Sequence, residues 1–127
     1  MAYFTVLFRR AVIVAIGMNA ANIAVAADKY DGVYRPVGQM FAGWDCTTIG
    51  QDGGAIAIKK NVVYGIENNC KLTNPVNVNG MTATLYDANC AGEGNSWRSR
   101  VMIMKADFGL YYISDQFVAS WQNCPSR

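Results

Sequence analysis

From Cys90 to Arg100 the chain reads CAGEGNSWRSR, with an acid between two glycines and then a tryptophan and two arginines. Three chemistries draw on such residues. Glu93 would act as a general acid if a second carboxylate, Asp87, Asp107 or Asp115, stood beside it. The glycines would expose backbone N–H groups to a phosphate. However, no Lys-Ser/Thr pair follows them, and no helix begins there to add its dipole. Trp97, Arg98 and Arg100 would stack on a ligand and pair with it. The plain structural alternative is a hairpin turn at Gly92-Glu93-Gly94. Trp97 is then buried at the start of the next strand, and the arginines lie on an exposed face where they pair with Glu93.

Other reactive groups are scarce. The chain has no histidine, so the commonest general base and metal ligand is missing. Ser96, Ser99 and Ser114 therefore lack a partner to activate them. Met102 and Met104 alternate along one strand face and read as packing residues. Of the adjacent Tyr111 and Tyr112, alternation sends one ring to each side of a strand. If one of them joins Trp121 or Phe117 on the outer surface, the group is a binding patch. The expected site is thus a binding site drawn from Glu93, Arg98, Arg100, Tyr111 and Tyr112, with no catalytic residue, cofactor or metal.

The four cysteines, Cys46, Cys70, Cys90 and Cys124, are even in number and form no Cys-x-x-Cys, a pattern of disulfides rather than of zinc or redox catalysis. Four cysteines allow three pairings. Cys46 with Cys70 and Cys90 with Cys124 is the expected choice, because each bridge then closes a unit of a few strands.

The elements that position these residues begin after a leader. Arg9 and Arg10 precede an apolar run from Ala11 to Met18, with small residues before Asp28. This is the pattern of a secretory signal peptide over residues 1–27, cleaved after Ala26 or Ala27. The chain has 11 Lys+Arg against 9 Asp+Glu; without Arg9 and Arg10 it is neutral. Nucleic acid is therefore not an expected partner. Neither is stable membrane insertion after cleavage, since the apolar run falls short of the roughly 20 residues a spanning helix needs.

Residues 28–40 read as an extended segment and 41–127 as one β-domain. Short alternating runs are separated by turn signals such as Asp52-Gly53-Gly54 and Asn79-Gly80. The first strand is expected at Phe41–Thr48, and Thr73–Gly80 is expected as a polar connection. In SWRSRVMIMK, Trp97, Ser99, Val101 and Ile103 share one face, and Arg98, Arg100, Met102 and Met104 the other. The fold class is all-β: a small antiparallel barrel or sandwich of about seven strands with two disulfides.

The residues GWDC from Gly43, Cys70, CAGEGNSW from Cys90 and the terminal WQNC form a pattern over Phe41 to Cys124. It resembles small exported bacterial proteins of unknown function. A looser likeness is to bacterial metalloprotease-inhibitor barrels, which implies an inhibitory arm over residues 28–40. In this chain Gly43 directly precedes Trp44, one residue short of the inhibitors' spacing. The reading is an exported, periplasmic or secreted, disulfide-stabilised binding or inhibitor-like module with a protein partner of the envelope or the extracellular space. The alternatives are a small hydrolase using acidic residues and a purely structural envelope protein.

Overall fold

The longest alternating run of the sequence becomes the longest strand in the computed structural model, which describes residues 12–17 and 29–126. Residues 12–17 hold no regular structure. The rest of the expected export signal, with its cleavage site, lies outside the described residues. Among the described residues no helix is long and apolar enough to cross a membrane.

Eight strands follow in chain order: β1 (Gly32–Pro36), β2 (Ile56–Lys59), β3 (Val62–Gly65), β4 (Asn68–Asn77), β5 (Ala83–Gly92), β6 (Asn95–Ala106), β7 (Gly109–Ser114) and β8 (Phe117–Asn123). Each pairs antiparallel with the next. β1 then closes on β8 through Tyr34 opposite Asn123 and Pro36 opposite Trp121, making a closed up-and-down barrel. Closure leaves no strand edge unpaired. The alternation along β6 is realised: Val101 and Ile103 are buried inside, and Arg98 and Arg100 point outward to Asn89 and Asp87.

Two stretches differ from the expected strands. Phe41–Thr48 contains no strand, because Asp45 folds it back on itself. The Asp45 carboxylate accepts from the Thr47 and Thr48 backbone N–H groups at 2.7 and 2.9 Å and from the Thr48 hydroxyl at 2.6 Å. A side chain mimicking backbone in this way makes a turn. The first strand instead comes from the segment expected as a leader, where buried Tyr34 anchors β1.

Thr73–Asn77 likewise belongs to β4 rather than to a connection. A register shift between Thr73 and Val76 takes up Asn74 and Pro75. Such a bulge lets a proline, which has no N–H, stay within a strand.

The disulfides correct the expected pairing. Cys70 bonds Cys90, directly opposite on β4 and β5, and Cys46 bonds Cys124 across 78 residues. Closing each bridge within its own unit of a few strands fails because β4 and β5, which carry Cys70 and Cys90, pair directly, and barrel closure makes the first and last strands neighbours. Cys124 donates its N–H to the Val33 carbonyl, and the long 37–55 connection folds back to bring Cys46 to it.

Candidate functional site

An up-and-down barrel gathers alternate connections at alternate ends. At one end lie the turns at 60–61, 78–82 and 107–108, with the entry and exit of the chain. That end is plugged. Tyr30, 2% exposed, drops its ring inside against Tyr86, and its hydroxyl meets that of Thr84 at 2.9 Å. Thr84 donates onward to Asn77 Oδ1 at 3.2 Å, and the Tyr34 hydroxyl donates to the Tyr30 carbonyl at 2.6 Å. Each of these buried hydroxyls is thus partnered, as burial requires.

At the other end lie the 37–55 connection and the turns at 66–67, 93–94 and 115–116. Here the barrel is open, with a cup of about 270 Å³. An eight-stranded barrel is only just wide enough for its side chains to fill, so small inward residues leave space. At this level Gly65, Ser99 and Ser114 face the cup from β3, β6 and β7. The Cys70–Cys90 disulfide lies in its wall, and four aromatic residues complete it: Trp97, Tyr112, Phe117 and Trp121. Tyr112 stacks on Trp121 with ring centroids 5.0 Å apart and planes 16° apart. Burial pushes the Tyr112 hydroxyl above the ordinary phenol range. Trp97 and Phe117 sit at the lip, 43% and 57% exposed.

A second notch of about 280 Å³ adjoins the cup and shares Ile66, Asn68 and Trp97 with it; Glu67, Gly92, Glu93 and Asn95 line the remainder. Its shape depends on Gly92. A Cβ there would lie 2.8 Å from both the Asn68 Cβ and the Glu67 carbonyl oxygen. Glycine therefore lets the β3–β4 and β5–β6 tips approach. Gly94 contributes differently. With Glu93 it forms the two-residue turn, at φ +77° and +50°, the left-handed pair that suits a tight hairpin.

The residues singled out in the sequence are dispersed. Glu93 is at the mouth, on the hairpin tip the glycines indicated. Arg98 and Arg100 lie outside the barrel and do not pair with Glu93. Arg100 bonds Asp87 at 2.8 Å, and Arg98 bonds Asn89 at 2.8 Å. The amide of Asn74, followed by Arg100, holds the Asp87 carboxyl below its usual range. Tyr112 does join Trp121, but inside the cup rather than on the outer surface, whereas Tyr111 is on the outside against Phe108. Trp97 keeps the inward face that alternation assigns it but is not buried, because its strand position is at the lip.

Of the carboxylates weighed as partners for Glu93, Asp107 is in a turn at the opposite end and Asp87 is on the outer wall. Only Asp115 shares the mouth end. Among the described residues no group of three or more His, Cys, Asp or Glu side chains is placed to hold a metal. The segment that the inhibitor likeness assigns to an arm is built into the barrel as Tyr30 and β1. The cup itself was not legible in advance. Its signal was the set of small inward residues, Gly65, Ser99 and Ser114, which acquires meaning only once three separate strands are brought to one level.

The fold and site define a small, closed, disulfide-linked barrel with one plugged end and one aromatic-lined mouth. No protein-family model, curated protein or solved structure matches the chain.

Proposed function

We propose that this protein is an exported binding module, periplasmic or secreted, that takes a compact and largely apolar ligand into the mouth of its barrel. One observation carries the reading: four aromatic side chains surround an open cup of about 270 Å³ at one end, while the other end of the same barrel is filled. Concave sites lined by apolar and aromatic groups with a few polar atoms are the usual form of a ligand site. This volume is just below the range for drug-sized ligands, roughly 300–1,000 Å³, so the occupant is small. Two disulfides suit an oxidising compartment. Outward Lys71, Asp87, Arg98 and Arg100, on a barrel whose β2 and β3 have four residues each, argue against a lipid-facing band, which takes strands of roughly 9–11 residues.

The test is a screen of small apolar and aromatic compounds, read by backbone amide shifts and tryptophan fluorescence. Binding should move the signals of Trp97, Ser99 and Tyr112 and leave those of Tyr30 and Thr84 in place. Ser99→Leu, which fills the cup, should abolish that response with the fold intact. Binders whose shifts cluster on the outer wall instead would overturn the reading.

A further inference from the structure

We infer that the ligand of the mouth is an organic monocation, an ammonium or quaternary ammonium group on a small apolar body. This inference rests on the cup being a ligand site and adds the ligand's charge. Three observations support it.

The first is the wall chemistry. Aromatic faces carry partial negative charge, and a cation desolvated over one is attracted to it more strongly than the same cation at an exposed ring. The cup presents Trp97, Tyr112, Phe117 and Trp121, and none of the residues lining the cup or the adjoining notch is Lys or Arg. Among the described residues, no basic group lines the cup to pair with a ligand anion.

The second is the rim. Each of the three tight turns at the mouth carries one acid and no base: Glu67 at 66–67, Glu93 at 93–94 and Asp115 at 115–116. The backbone does not call for them, since Glu67 and Glu93 sit at φ +56° and +50°, where glycine or asparagine is the easier choice. At the plugged end the turns carry Lys60 and Asp107, with Lys59 and Lys105 beside them. The 37–55 connection at the mouth adds Asp45 and Asp52, against one base beside it, Arg35 on β1, so the mouth carries a net negative charge, a field that steers cations toward it.

The third separates this cation from a metal. The carboxylates are on exposed tips, while the polar groups of the cup wall are two serines, the Asn68 amide and a disulfide among rings and aliphatic side chains. A hard divalent ion takes six or more oxygen ligands, and the cup does not supply them. An ammonium with an apolar shell needs none: its body replaces water against the rings, and its charge stays within range of the rim.

The experiment compares three probes on the purified protein: phenyltrimethylammonium, its neutral isostere tert-butylbenzene, and the anion benzenesulfonate. The cation should bind at least tenfold tighter than the isostere, the anion should not bind, and the preference should shrink as salt is raised. The triple variant Glu67→Gln, Glu93→Gln, Asp115→Asn should lose most of the preference while retaining its affinity for tert-butylbenzene. Trp97→Leu should weaken the cation more than the isostere. If the isostere binds as well as the cation, or the triple variant keeps the full preference, the charge inference falls and the cup reading stands. If no probe shifts the cup residues, both fall.

Discussion

The two ends of this barrel are made by the same meander, yet one is shut by side chains and the other is walled by them. At the plugged end a ring enters the bore and its hydroxyl finds a partner, as with Tyr30 on Thr84. At the mouth the inward positions on three strands are small, and the rings stand around the space instead of in it. Burying an aromatic ring stabilises the fold in proportion to the area removed from water. Rings left half exposed at the lip contribute less to folding and, on the function proposed above, remain available for a ligand. On that reading stability and binding fall at opposite ends.

Each disulfide serves one of these ends. Cys46–Cys124 fastens the long connection to the chain exit where β1 meets β8, and Cys70–Cys90 lies in the wall of the cup. The largest expected effect follows from loop length. On the chain-entropy relation, removing the bridge that spans 78 residues with Cys46→Ala and Cys124→Ala costs about 4.5 kcal/mol. Removing the 20-residue bridge with Cys70→Ala and Cys90→Ala costs about 3.3 kcal/mol. Chemical denaturation of the two double variants checks the order, and a reversed order would break the assignment of the seam bridge as the main staple.

The same truncation at each end sharpens the contrast. Tyr30→Ala at the plug should cost about 4 kcal/mol, in the range for a buried aromatic. Trp97→Ala at the lip should cost about half as much, about 2 kcal/mol, because nearly half of the residue is already in water. With about 4–8 °C of midpoint per kcal/mol for a domain of this size, thermal melts will separate them clearly. Equal losses would show that the mouth is structural.

The smallest effect belongs to the outer wall, which serves neither end. The folded Asp87 carboxyl titrates below its unfolded value, so its stabilisation is present above the usual carboxylate pKa of about 3.9. That contribution is lost as pH falls through the lower folded value. Asp87→Asn should therefore lower stability slightly at neutral pH and converge with the unsubstituted protein in acid, so that the acid limb of its stability curve below about pH 4 is flatter. A series of urea midpoints from pH 7 to pH 2 reads this directly.

Much of the fold could be read from local pattern. The alternation from Trp97 to Met104 and the turns at Asn79-Gly80 and Glu93-Gly94 stand where period and turn chemistry put them. Local pattern misled where a single side chain overruled it. Asp45 turned an apolar stretch into a capped loop, and a bulge at Asn74-Pro75 carried a strand through a proline. Of the site, Glu93 was legible as a hairpin tip, whereas a tyrosine beside Trp121 was expected on the outer surface and Tyr112 meets it inside the cup. The arginines were misassigned because their partners, Asp87 and Asn89, are fixed by the β5–β6 register rather than by nearness in the chain.

The sequence by itself determined the all-β class, the even set of cysteines and the faces of each strand, because side-chain alternation and turn conformation depend on residues a few positions apart. Only the tertiary structure decided which cysteines pair, which end is plugged and where a cup opens. Those outcomes depend on closure, which sets β1 beside β8 and brings Gly65, Ser99 and Ser114 to one level from strands far apart in the chain.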